Sequence, residues 1–93
     1  MMIHNSNYVK EYAKNFNYKR LNNPDIFEKE TYVKLVNDNF IVIESLKKSK
    51  YVNFYFNEKT KTFKKSDLLL SILENIPVAW ESENANIWTR FFI

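Results

Sequence analysis

Lysines and tyrosines are the residues in this chain whose spacing could do chemistry, and that chemistry is the binding of anions and flat rings. Between positions 47 and 65 lie Lys47, Lys48, Lys50, Lys59, Lys61, Lys64 and Lys65, opposed by Glu58 alone. The residues before this stretch are near neutral and those after Ser66 are net acidic, so the formal charge of +3 originates in this one segment. Tyr51 and Tyr55 are interleaved with the lysines. Clustered lysines attract phosphates and tyrosine rings stack on bases, which makes the segment a candidate surface for RNA or single-stranded DNA. A second reading stands beside it: lysine guards sheet edges against aggregation, and a chain rich in Asn, Lys, Ile, Phe and Tyr has the composition that AT-rich coding produces. Arg20 and Arg90 are the sole arginines, so the forked contacts that usually clamp phosphates and read bases are scarce.

Catalytic equipment is thin. The chain has no cysteine and no glycine, and His4 is its single histidine, placed in the first few residues where chain ends fray. Without glycine the phosphate-cradling loops, dinucleotide fingerprints and nucleophile elbows that need close backbone approach or positive φ are nearly excluded. A single imidazole cannot make a histidine metal site, and no thiolate exists to nucleophilically attack or to hold a metal. Neither a metal nor a cofactor is expected. The carboxylates Asp25, Glu28, Glu30, Asp38, Glu44, Asp67, Glu74, Glu81 and Glu83 show no spacing that forces two into one cleft. Pro24-Asp25 followed by Glu44 superficially resembles the PD…(D/E)xK signature of metal-dependent nucleases. The likeness fails at position 46, which is Leu46 where that signature requires lysine. The expectation is a protein that is not an enzyme; a metal-independent, toxin-like ribonuclease built on lysines, tyrosines and Arg90 is the least favoured alternative.

The elements that must position these residues fit one domain. Ninety-three residues suffice for a single core, and a hydrophobic fraction of 45% with sixteen aromatic rings supplies it. Tyr8, Val9, Tyr12, Ala13 and Phe16 form one stripe at helical spacing, with Ser6 or Asn7 as the cap and an end before Asn22-Asn23-Pro24. A short turn from Asp25 to Lys29 follows. The period then changes to two: Tyr32, Val33, Leu35 and Val36, a turn at Asn37-Asp38-Asn39, and Phe40 to Leu46, apolar on both faces and therefore expected to be central. Val52, Phe54 and Phe56 alternate with Tyr51, Asn53, Tyr55 and Asn57 and form the next strand's core side.

Phe56-Asn57-Glu58-Lys59-Thr60-Lys61-Thr62-Phe63 resembles the second hairpin of the immunoglobulin-binding domain of protein G. The resemblance implies a six-residue loop with Asn57 accepting hydrogen bonds across it and Lys61 left-handed, and it implies nothing about function. A second helix is expected from a Ser66 cap, with Leu69, Ile72, Leu73 and Ile76 facing the core and Pro77 as its stop. Ile87 to Ile93 reads as a strand paired with Val78 to Trp80, or as a short helix capped from Ser82. The expected architecture is α+β: an N-terminal helix, a four-stranded antiparallel meander, a second helix, and a C-terminal strand or short helix.

These readings converge on a cytoplasmic module that binds and does not transform. Tyr18, Tyr32, Tyr51, Tyr55 and one of Trp80 or Trp88 are expected at the surface, where Tyr and Trp commonly anchor protein interfaces. The leading expectation is a small protein acting stoichiometrically on a larger protein or ribonucleoprotein through an aromatic and lysine-bearing sheet face. By association with small AT-rich chains, it would be a phage or mobile-element inhibitor of host machinery such as a defence system. The alternative is an RNA or single-stranded DNA binder using the 47–65 hairpin. No membrane partner is expected, and a homodimer would follow if both faces of residues 40–46 need cover.

Overall fold

The computed structural model describes residues 5–21 and 29–85. Helix α1 (Asn5–Asn15) is followed by strands β1 (Lys19–Leu21), β2 (Lys29–Val36), β3 (Asn39–Leu46), β4 (Tyr51–Phe56) and β5 (Lys59–Lys64), then by helices α2 (Asp67–Glu74) and α3 (Ala79–Ala85). The strands form one antiparallel sheet in sequence order. The α+β class is therefore correct, while the sheet has five strands and not four. The added strand is β1, placed at the edge through the pairs Lys19 with Val33 and Leu21 with Thr31.

The first helix stops well before Pro24. Asn17 takes φ 66°, and the Tyr18 amide reaches back to the Ala13 carbonyl at 2.8 Å, a left-handed closure that satisfies the helix end and turns the chain into β1. The same device recurs through the protein. Among the described residues every non-helical, left-handed position is Asn17, Asn37, Asp38, Asn57 or Asn75. Asn and Asp tolerate that conformation best after glycine, so a glycine-free chain turns on its asparagines. Asn37 and Asp38, at φ 50° and 66°, make the two-residue hairpin turn between β2 and β3. Asn57 serves the β4–β5 hairpin, where Phe56 already pairs with Lys59. The six-residue loop is thus replaced by a tight turn. Lys61 is not left-handed; it pairs with Phe54 within β5.

One face of the sheet carries Tyr32, Ile41, Ile43, Val52, Phe54 and Phe56, all buried, and all three helices pack on that face. Val9, Tyr12 and Ala13 of α1, with Phe16 just past its end, behave as the helical stripe requires. Phe54 is completely enclosed, with Tyr12, Phe63 and Trp80 at centroid distances of 5.5, 5.1 and 6.1 Å, each near edge-to-face. Helix α2 is rotated from the expected setting. Leu68 is its buried residue and Ile72 packs against the core, whereas Leu73 and Ile76 are exposed together with Leu70. Asn75, left-handed, ends the helix two residues ahead of Pro77, and Ser66 makes no side-chain capping bond.

The expected strand at Val78 to Trp80 is instead the entry to α3. The Val78 amide donates to the Tyr12 hydroxyl at 3.2 Å, Trp80 turns onto Phe54, and Ser82 lies inside the helix as no cap could. His4, the Asp25 turn, Trp88 and the 87–93 segment lie outside the described residues.

A polar anchor holds α3 in place. Glu81 is 1% exposed and accepts a hydrogen bond from the Tyr18 hydroxyl, while the Lys34 ammonium stands 3.9 Å from its Oε2 and 5.4 Å from the Tyr18 ring centroid. Burial pushes the Glu81 carboxyl above its ordinary range, opposed by the Tyr18 bond, the Lys34 charge and Tyr12. Burial and this carboxylate push the phenols of Tyr12 and Tyr18 upward in turn.

A carboxyl whose pKa is higher folded than unfolded binds its proton more readily in the folded chain, so this group's contribution to stability grows as pH falls from neutral toward the ordinary value of 4.5 and declines as pH rises through the folded pKa. Glu81→Gln flattens that slope. Glu81→Ala leaves the Tyr18 hydroxyl without its acceptor and costs about 2–4 kcal/mol. Urea unfolding of the three proteins at about pH 5 and about pH 7 measures both effects; an Ala variant as stable as the parent removes the anchor.

Candidate functional site

The alternation of a strand decides which of the lysines can act together. In β4, Val52, Phe54 and Phe56 face the helices, so Tyr51, Asn53 and Tyr55 face the other way. Cross-strand partners share a face: Lys59 opposite Phe56 and Lys61 opposite Phe54 project on the helix side of the edge strand, whereas Lys64 opposite Tyr51 projects outward. The expected outward surface of lysines interleaved with Tyr51 and Tyr55 is therefore divided. Lys59 and Lys61 are solvated edge residues on the opposite side from the two tyrosines. Lys47 and Lys48 occupy the β3–β4 turn and line neither of the cavities described below.

Lys65 leaves the set altogether. Only 1% of it is exposed, and its ammonium turns inward to donate to the Leu46 carbonyl at 2.7 Å. Burial lowers its pKa, partly offset by the Glu30 charge. Nearby, the Tyr32 hydroxyl donates to Glu30 Oε2 at 2.6 Å, and Ser45 is buried, so this end of the core closes on polar groups that satisfy one another. Burial and Glu30 also raise the Tyr32 phenol. Lys65 is a structural residue whose sequence position among surface lysines concealed its role.

What remains of the basic segment is a compact site at one end of the sheet. An open cavity of about 410 Å³ is lined by Lys50, Tyr51, Lys64, Lys65 and Ser66. A second, of about 240 Å³, is lined by Lys29, Glu44, Leu46, Ser49, Tyr51 and Asn53, with Ser45 behind them. Tyr51 belongs to both and is half exposed. The backbone fixes these walls: the Lys65 amide donates to the Lys50 carbonyl at 2.8 Å, the Ser49 amide to Leu46 at 3.0 Å, and the Tyr51 amide to Ser49 Oγ at 3.0 Å. Lys29 and Glu44 form an ion pair at 2.8 Å, and the Thr62 hydroxyl donates to Asn53 Oδ1 at 2.7 Å. Among the described residues no three histidine, cysteine or acidic side chains converge as a metal site would need.

Beyond this end the outer face is apolar. Leu35 pairs with Phe40, Val33 with Val42, and Val42 with Tyr55, which sets five apolar or aromatic side chains side by side across β2, β3 and β4. Leu35 and Phe40 are 61% and 56% exposed, and Leu46 and Leu21 extend the patch toward the cavities and the β1 edge. No described helix crosses this face. Residues 40–46 were expected to be covered on both sides, and only the Ile41–Ile43 side is. Tyr18 and Tyr32, expected outside, belong to the core; of Trp80 and Trp88, one of which was expected outside, Trp80 packs against the core and Trp88 lies outside the described residues; Tyr51 is exposed and Tyr55 half-buried. Leu35 and Phe40 were legible as a two-sided apolar strand pair. Their exposure was not.

Comparison with protein families, with curated proteins and with solved structures found no match for this chain. No helix among the described residues is long and apolar enough to cross a membrane.

The division of the lysines is measurable. Lys65→Ala exposes the Leu46 carbonyl and opens the end of the core, and should cost about 1–3 kcal/mol in denaturant unfolding. Lys59→Ala, Lys61→Ala and Lys64→Ala should each stay within about 0.5 kcal/mol of the parent. Equal effects at all four positions would contradict the inward role of Lys65.

Proposed function

We propose that this chain is a non-enzymatic binding protein that acts stoichiometrically on a larger protein or ribonucleoprotein, through the outer face of its sheet. The observation that carries the reading is the contiguous apolar patch of Leu35, Phe40, Val33, Val42 and Tyr55, left uncovered by the described helices. Single exposed apolar residues are ordinary on small proteins; a register-aligned group on a regular sheet is the kind of surface that partners cover. Its ends are basic, with Lys64 and Lys50 at one end and Lys19 on the β1 edge, and the Glu44 carboxylate between them is already paired with Lys29. That balance suits a partner with an apolar centre and an acidic or phosphate-bearing rim.

The shifted carboxyl and phenols support binding over catalysis, because Glu81 serves Tyr12 and Tyr18, Tyr32 is bonded to Glu30, and none of the four shifted groups lines either cavity. A mimic of DNA would present acidic surface, and this surface is basic. Blocking or adapting the partner is the action open to so small a module, and a homodimer formed by the same face is the competing occupant.

Phe40→Ser with Leu35→Ser should reduce capture of the partner from a native-host extract by tenfold or more and leave the chain folded with only a modestly lowered unfolding midpoint, since both residues are more than half exposed and lose only their cross-strand pair. Light scattering on the purified parent distinguishes self-association: a dimer mass that the double variant converts to monomer assigns the face to a second copy. Undiminished capture by the variant sinks the proposal.

A further inference from the structure

The two cavities beside Tyr51 differ in chemistry in a way that the apolar patch does not explain. The larger has two exposed lysines, Lys50 and Lys64, and no carboxylate among its lining residues; the ammonium of its third lysine, Lys65, is turned to the Leu46 carbonyl. The smaller has its one carboxylate, Glu44, neutralised by Lys29 and offers neutral hydrogen-bonding groups from Ser49 and Asn53. With Asn53 Oδ1 occupied by Thr62, its Nδ2 is the donor left for a ligand, and the Ser49 hydroxyl, accepting from the Tyr51 amide, keeps its own proton to donate. A half-exposed aromatic ring stands between the two.

An anion-attracting hollow, a stacking ring and a neutral polar hollow, in that order, match the parts of a nucleotide. We propose that this end of the sheet binds one nucleotide, with its phosphate against Lys50 and Lys64 and its base on the Tyr51 ring toward Asn53 and Ser49. A carboxylate or inorganic phosphate would use the lysines and leave the ring and the second hollow without a role. A base stacked on tyrosine uses all three, with little dependence on base identity. The nucleotide can be free or part of a single strand, since both present the same phosphate and ring. The site requires no partner protein, so its failure would leave the reading of the apolar face intact.

The test is an amide-resolved NMR titration of the purified chain at low salt with adenosine monophosphate, inorganic phosphate, adenosine and a short oligouridine. The expected result is shifts centred on Lys50, Tyr51, Asn53 and Lys64, with adenosine monophosphate saturating at lower concentration than phosphate or adenosine. Lys64→Glu should weaken adenosine monophosphate about tenfold, while Lys61→Glu, the same charge change on the other face of the same strand, should alter it less than about twofold. Tyr51→Ala should weaken it about fivefold or more with little effect on phosphate, and Tyr51→Phe should restore it. Oligouridine binding more tightly than the mononucleotide assigns the source to a single strand; comparable binding assigns it to free nucleotide. Equal losses in Lys61→Glu and Lys64→Glu, phosphate binding as well as the nucleotide, or no shift at these amides would overturn the proposal. Dispersed spectra for every variant establish that the comparison is between folded proteins.

Discussion

Enclosure of Phe54 on one side of the sheet is the constraint from which the other features follow. Its ring is met by Tyr12 from α1, Phe63 from β5 and Trp80 from α3, so three separate parts of the chain converge on the same face. Burying rings of this size removes more apolar area than any other contact available to a chain so short. Once the helices are committed to that side, the opposite face of β2, β3 and β4 has no described element to cover it. The exposed Leu35 and Phe40 are the complement of the buried Ile41 and Ile43, produced by the same alternation.

The core is closed by charge at two places. At one, Glu81 is held by Tyr18 with Lys34 nearby, and this fixes α3 against β2 and the turn between α1 and β1. At the other, Lys65 reaches inward to Leu46 beside the Tyr32–Glu30 bond. Each is a charged side chain drawn out of water and kept by specific partners, because a buried charge is tolerated only when its hydrogen bonds are made. These groups have the shifted ionisation that often marks a catalytic cleft, yet both arrangements face the packed interior, Lys65 also lining the larger cavity. With the Lys65 ammonium turned inward, Lys50 and Lys64 are the exposed lysines that line the larger cavity.

The two proposed binding surfaces therefore occupy different parts of one face. The middle of the outer face is apolar and broad; its end, around Tyr51, is concave, cationic and polar. A ribonucleoprotein target would meet both chemistries at once, protein against the patch and nucleotide at the end. The backbone bonds among Lys50, Lys65, Ser49 and Leu46 hold that end in shape before any ligand arrives, which limits the ordering that binding must bring about.

The sequence by itself determined the α1 stripe, the Asn37–Asp38 turn and the strict alternation of β4, because each is a local pattern read over a few residues. It also held an unused signal: in a chain without glycine, Asn17, Asn57 and Asn75 marked the reversals that shortened α1, tightened the β4–β5 hairpin and ended α2. Tertiary structure alone decided the rest. Helix α2 is apolar almost all round, so periodicity could not choose Leu68 over Leu73 for the core; packing against α1 did. Strand β1 is three residues long and exists through its pairing with β2. Seven lysines close in sequence became edge, turn, cavity and core residues because side-chain direction in a sheet depends on register with the neighbouring strand, which no single segment contains.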